Sequence, residues 1–396
     1  MIRLTCLPKQ VANWLHVLQP RFRHRHHLVL CWRRVGQAVE QEKATRTGLA
    51  RLTPRQMAAW HCRRRLTAPY WHGCVLLWWF AAHVLATRPP PAAGVGSLVV
   101  ESPRTEKTGP QHPLAQKGRL NADAPDIVGL PMVIVRRHGG HYRMPVDCAI
   151  VRRQDAPPSR SENRLFRGRW GRFRRPAWAN AGVVVADAAC ASTAKVQRLQ
   201  RLGDGVVIAV ARTWRCEQGR TMTALVTHLP QHCDRRCWVA REARGRRRPY
   251  GTLTTRARLR HRGDVTLRWR KKRRHDGPQP TTLVVTHLPD ARARQVVDGY
   301  RRRWSGDLLL KALTGATGLG QQQVTKTPHR SERSVASAVM ASLRLLKFRA
   351  HAIPEPGPWS AFMLTQNCPG PLGQAPMERS VEPRLRRGRQ QRRAAE

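Results

Sequence analysis

Apolar and polar positions follow two different rhythms along this chain, and the change of rhythm divides it. Over residues 1–88, which read as helical, apolar positions interleave with basic ones at mixed spacing. LTPRQMAAWHCRRRL opens with Thr53 placed to cap a helix and Pro54 at its first position. CVLLWWFAAHVLA (residues 74–86) is apolar all round and reads as a buried helix. The prolines of RPPPAAGVG (residues 88–96) then impose an extended linker.

Beyond the linker the period shortens. SLVVES (residues 97–102) predicts a strand ending on Glu101. IVGLPMVIVRRHGGHYRMPVDCAIVRR predicts two strands about Gly139 and Gly140, a hairpin signal. A short helix is expected over residues 162–169. GVVVADAAC is an apolar strand ending on Asp187. The helix of STAKVQRLQRLG follows, with Ser192 before it and Gly203 after. From 205 to 289 the strand-like runs VVIAVARTW, TMTALVTHL, RCWVARE, YGTLTTRARL, DVTLRWRKK and TTLVVTHL succeed one another closely. Helices return over residues 290–313, with Asp290 as cap, and as an amphipathic helix over 334–350. The Pro- and Arg-rich tail beyond about residue 369 has the composition of a disordered segment.

Charge narrows the partners. The 396 residues carry 73 Lys and Arg against 24 Asp and Glu, a formal net charge of +49, spread along the whole chain. Such an excess repels itself unless a polyanion neutralises it, and nucleic acid does so through counterion release. The start, MIRLTCLPKQVANW, lacks the continuous apolar region of a signal peptide. The stretch at 74–86 falls short of the ~20 apolar residues that span a bilayer. A membrane is therefore not the expected partner. Ten irregularly spaced cysteines point to reduced thiols and a cytoplasmic setting.

Candidate chemistry lies in three carboxylates. Glu101 and Asp187 end strands, and Asp307 sits in a helix that follows the β-rich block. Cutting a phosphodiester with divalent cations requires hard oxygen ligands on rigid elements. YRRRWSGDLLLK carries Tyr300, Arg303 and Asp307 on one helix at gaps of three and four. With GVVVADAAC, SLVVESPRTEKTG, HPLAQKGRLN and GLGQQQVTK, it resembles the Tyr-Arg-Glu-Lys pattern of DDE transposases of the insertion sequence 4 group. The resemblance covers about residues 20–365.

That resemblance implies an α/β fold: an RNase H-like core with an inserted β-rich subdomain, preceded by an α-helical N-terminal domain. The implied division is 1–88 (helical, DNA-binding), 97–204 (first part of the core), 205–289 (insertion), 290–365 (helices completing the core) and 366–396 (basic tail). It implies Glu101, Asp187 and Asp307 as ligands of two Mg²⁺ ions, for which Mn²⁺ can substitute. It puts Tyr300, Arg303 and Lys311 on DNA. The implied activity is cleavage at element ends and strand transfer. The implied partners are double-stranded DNA, as terminal inverted repeats and target, and a second copy on paired ends. The setting would be a bacterial nucleoid.

The chain departs from that pattern. Glu101 stands where Asp is expected, Asp307 where Glu is expected, and the Lys position falls on Thr314, with Lys311 nearby. Gly306 interrupts the signature helix at a cost of ~1 kcal/mol. Arg268 and Arg270 around Trp269 read as arginines in core positions. These changes point to an impaired copy, a remnant of an insertion element. Two competing readings are a DNA-binding protein without catalysis and an unselected reading frame. Asp307 paired with Arg303 is the bland reading of that helix. The His and Cys of HLPQHCDRRC read as ordinary strand and turn residues rather than a zinc site.

Overall fold

A computed structural model describes residues 73–86, 97–106, 112, 114–119, 126–139, 142–152, 161–173, 183–187, 192–201, 205–210, 213–217, 219–222, 224, 235–240, 247–259, 263–272, 282–286, 288, 292–320 and 327–352. They form a mixed α/β structure. The chain divides into two compact units, Met1–Val84 with Glu106–Pro113 and Leu310–Glu396, and Leu85–Thr105 with Leu114–Leu309. Thr53, Pro54, Asp290, Gly203, the zinc-like histidines and the basic tail fall outside the described residues.

In the first unit, α1 (Gly73–Ala86) is the helix expected at 74–86. Leu76, Leu77, Phe80, Ala81 and Val84 are buried along it, at helical spacing. Trp78 and Trp79, read as core residues, are half-buried and meet edge to face with ring centroids 5.4 Å apart. No helix among the described residues is long and apolar enough to cross a membrane.

The helix expected at 334–350 is longer, spanning Pro328–Ala352 (called α5 below). Thr327 and Pro328 supply the cap and first-position signal that the later start overlooked, and the Thr327 carbonyl accepts from the Ser331 amide at 3.2 Å. The helix is not amphipathic in its middle. Every residue from Val335 to Leu345 is buried, Ser342 and Arg344 included. At Gly73, α1 lies close against this helix. A Cβ there would lie 2.9 Å from the Ala336 Cβ and 3.2 Å from the Glu332 carbonyl oxygen. Gly73→Val is therefore expected to cost about 1–3 kcal/mol by overpacking, read as a lower melting temperature. An unchanged melt would show that the two helices part without penalty.

The second unit is built on a sheet. Its strands are β1 (Ser97–Glu101), β2 (Arg104–Glu106), β3 (Gln116–Arg119), β4 (Asp126–Gly139), β5 (Tyr142–Ile150), β6 (Val183–Ala186), β7 (Gly205–Ala209), β8 (Arg235–Ala240), β9 (Arg247–Leu259), β10 (Gly263–Lys272) and β11 (Thr282–Thr286). The order is β2-β4-β1-β6-β7-β11-β10-β9-β8, with β3 and β5 also on β4. β4 and β5 form the expected hairpin, with Gly139 opposite Tyr142. β1 is antiparallel to β4 and parallel to β6, and β6 is parallel to β7. Parallel neighbours need crossovers, which helices supply here. α2 (Glu162–Phe173) runs between β5 and β6, and α3 (Thr193–Arg201) between β6 and β7.

Local chemistry fixes those helices. The Ser192 hydroxyl accepts from the Lys195 amide at 3.3 Å, the cap that its position predicted. Lys195 is 2% exposed; it donates to Glu162 at 2.5 Å and lies 5.5 Å from the Phe166 ring centre, which ties α3 to α2. α4 (Ala293–Gly315) begins later than the expected 290. The Gln295 side chain reaches back to the Arg292 amide at 2.8 Å and ends the helix there. Of the strand expected in TMTALVTHL, Thr221, Met222 and Ala224 are described, and Met222 and Ala224 are helical; the rest lies outside the described residues. Arg215 pairs with Thr221 across a tight turn, with Gly219 at φ 76°, and the Thr221 hydroxyl caps a helical turn by accepting from the Ala224 amide.

Beyond β7 the sheet continues as an antiparallel ribbon. β11 pairs with β7, β10 with β11, β9 with β10 and β8 with β9. Register assigns faces here, because side chains alternate along a strand and directly opposed residues share a face. Trp269 pairs with Leu253 and Leu267 with Thr255, while Arg268 pairs with Thr254 and Arg270 with Thr252. One face thus carries Leu253, Val265, Leu267 and Trp269. The other carries Arg248, Arg256, Arg258, Arg268, Arg270 and Lys272. The side chains of Arg268 and Arg270, expected in core positions, lie outside the described residues. They alternate with Trp269 as an amphipathic strand requires.

Candidate functional site

The strand ends create the site. Period-2 alternation puts Val99 and Glu101 of β1 on one face, with Val185 and Asp187 at and just beyond β6. Val100 pairs in parallel with Ala186, so the next position along sets Glu101 beside Asp187. The first third of α4 covers this face. Val296 and Tyr300 pack with Val99, Val185, Val207, Ala209 and Val284 in one buried cluster. Two of the three predicted acids are thus neighbours, on the face covered by the helix that carries the third.

Arg136 completes the arrangement. It sits opposite Val99 in the β1–β4 pairing, on the same face, and is 0% exposed. Its Nη2 donates to Glu101 Oε1 at 3.1 Å and to the carbonyl oxygens of Arg302 and Arg303 at 2.7 Å each. One nitrogen therefore links the acidic strand end to the middle of the signature helix. Burial pushes the Arg136 guanidinium below its ordinary value. Glu101 opposes that shift, while Arg143 and Arg303 add to it. A guanidinium nonetheless stays protonated in a protein, so Glu101 faces a full positive charge.

Arg303 is the counterpart for Asp187. Its Nη1 lies 4.0 Å from Asp187 Oδ2, with side-chain exposures of 21% and 27%. Its guanidinium also stands 5.6 Å from the Tyr300 ring centre. Burial alone would lower its pKa. Tyr300, Asp187 and Glu101 together outweigh that and hold it above the ordinary value. Arg303 is therefore a charged, partly open cation with a loose ion pair.

The other predicted residues are placed as follows. Tyr300 is 4% exposed within the core cluster, and its ring stands under the Arg303 guanidinium. Asp307 lies in α4 one turn beyond Arg303, and its side chain is outside the described residues, as are those of Trp304 and Gly306. Lys311 is exposed, in the last turns of α4. Thr314, at the expected Lys position, turns its hydroxyl back to the Leu310 carbonyl at 2.9 Å. Arg136 was missed in the sequence. The available signal was Arg136-Arg137-His138, three polar residues continuing an otherwise apolar strand that precedes a hairpin.

Among the described residues, Glu101 and Asp187 are a poor fit for divalent cations. Mg²⁺ asks for oxygen ligands at ~2.0–2.1 Å and uncompensated negative charge. Glu101 and Asp187 each already face a guanidinium. Among the described residues no group of three or more His, Cys, Asp or Glu gathers to hold a metal ion. No protein-family model matches the chain, and no curated protein matches it.

Proposed function

We propose that this chain is a DNA transposase of the DDE kind, with an RNase H-like core and an inserted β-rich ribbon, and that it binds duplex DNA ends while cleavage and strand transfer are impaired. The observation that carries the reading is the order β5-β4-β1-β6-β7, antiparallel then parallel, with Glu101 and Asp187 at adjacent strand ends of β1 and β6. The ribbon that interrupts the chain between β7 and α4 supports it, as does the return of α4 over those strand ends with Tyr300, Arg303 and Asp307. The basic ribbon face supplies sequence-independent attraction for phosphates. In this reading Arg303 exchanges its loose pair with Asp187 for a phosphate oxygen, and Tyr300 keeps the guanidinium in place.

A second reading is favoured by one observation. Both described acids are already neutralised by arginines, as befits a DNA-binding protein without catalysis. A cleavage assay separates the two. The substrate is duplex DNA with the inverted repeats that flank the gene, in Mg²⁺ or Mn²⁺, with Glu101→Asp plus Asp307→Glu beside wild type. The transposase reading expects binding by both proteins and cutting at the repeat boundary by the revertant. Binding without cutting by either protein selects the second reading. Absence of repeat binding by both proteins rejects both readings.

A further inference from the structure

We infer that the guanidinium of Arg136 holds the charge position at Glu101 that a divalent cation would need, so that this strand-end acid is internally neutralised and closed to metal. The inference rests on the proposed reading of Glu101 and Asp187 as counterparts of metal ligands. It adds a residue that the family resemblance did not single out, and a reason for the impairment.

Geometry carries the argument. The Arg136 Nη2 is surrounded by three oxygens, one from the carboxylate of Glu101 and two from helix carbonyls, at 2.7–3.1 Å. This is an oxygen-lined cation site whose cation is covalently part of the protein. It is not open to exchange. Arg136 is 0% exposed and Glu101 16% exposed at the side chain, so solvent does not compete effectively for either partner. For a metal ion to take Glu101, the carboxylate would have to leave a guanidinium that is 0% exposed. Burying a charge without a partner is costly. Asp187 faces Arg303 at 4.0 Å, so each of the two described acids already has a guanidinium beside it.

Arm length makes the inference specific. Glu101 reaches Arg136 with one more methylene than Asp would have. Glu101→Asp withdraws the carboxylate by one carbon–carbon bond, about 1.5 Å. At a starting distance of 3.1 Å that ends the hydrogen bond to Nη2. The same substitution leaves the negative charge at the end of β1, now beside Asp187 and no longer held by Arg136. The departure from the family pattern at residue 101 and the internal cation at residue 136 are thus two halves of one arrangement.

The test is a Mn²⁺ titration of the full-length protein without DNA, followed by the paramagnetic resonance signal of free Mn²⁺. Wild type is expected to show no saturable site below millimolar concentration. Glu101→Asp is expected to gain one saturable site, at least about tenfold tighter than any uptake by wild type. Adding Asp187→Asn to that variant should remove the gain. Saturable sub-millimolar binding by wild type that Asp187→Asn abolishes overturns the inference. So does a folded Glu101→Asp protein that takes up no Mn²⁺. The wild-type titration decides the matter even if the variant fails to fold. Duplex binding measured in chelator reports separately on the proposed function. A wild type that binds DNA and also holds Mn²⁺ at a site that Asp187→Asn abolishes overturns the inference and leaves that reading standing.

Discussion

Replacing Arg136 by methionine is expected to destabilise the protein by about 3–5 kcal/mol, the penalty for removing one partner of a buried ion pair. The guanidinium is fully buried and serves three acceptors with one nitrogen. Methionine fills much of the volume and satisfies none of them. Glu101, 16% exposed at the side chain, then loses this buried guanidinium, although Arg303 still senses its charge. Total stabilities are about 5–15 kcal/mol, so a loss of this size threatens the fold of the whole second unit. Denaturant unfolding would measure it as a lower midpoint at unchanged slope. Arg136→Lys should recover only part of the loss, since an ammonium on a shorter arm lacks the planar fork. Pairing Arg136→Met with Glu101→Leu should be less damaging than the two single losses added, because it leaves no orphaned charge. A single-variant loss under about 1 kcal/mol would mean that the buried pair contributes no more than an exposed one.

The second large effect belongs to the ribbon. Arg256, Arg268 and Arg270 share one face of β9 and β10, and Lys271 shares the other. If the basic face follows the phosphate backbone, the triple variant Arg256→Gln, Arg268→Gln, Arg270→Gln removes up to three phosphate contacts. Each contact contributes ~0.9 to the slope of log affinity against log salt. The slope should fall by about 2.7, and affinity near 0.1 M salt by on the order of 10²-fold or more. The loss should be similar for any duplex sequence, since phosphate contacts carry no base information. Lys271→Gln removes the same charge from the opposite face and should change the slope little. Equal effects from Lys271→Gln and from each single arginine variant would mean that net charge, rather than a face, governs binding. Circular dichroism of each variant guards against loss of the ribbon itself.

These expectations draw on both sequence and structure, and the division between them is physical. Strands β1, β6, β9, β10 and β11 were legible because β-branched and alternating runs have few other uses. The hairpin at Gly139 was legible because a tight antiparallel turn favours glycine. The Ser192 cap was legible because its signal is local. Helix starts were less so. Gln295 reaching back to Arg292 set the start of α4, and Thr327 with Pro328 set that of α5. An amphipathic pattern was expected for α5, yet its central residues are buried on every side. Burial depends on what surrounds a helix, and its own spacing does not record that.

For the site, the sequence by itself determined which residues stand at strand ends. It determined that Glu101 and Asp187 close apolar strands, and that Tyr300, Arg303 and Asp307 share a helix. It also determined the alternation that separates Trp269 from Arg268 and Arg270, although only the register identified it as two faces of a ribbon. The tertiary structure alone decided which strands are neighbours, and so that Glu101 lies beside Asp187, 86 positions away in the chain. It alone brought Arg136 to Glu101 and to the backbone of α4, 166 residues from Arg302. It alone turned Tyr300 into the core and Arg303 toward Asp187. The reason is range. Propensity and period act over a few residues, whereas the charge a carboxylate meets is set by contacts that exist only once distant strands have paired.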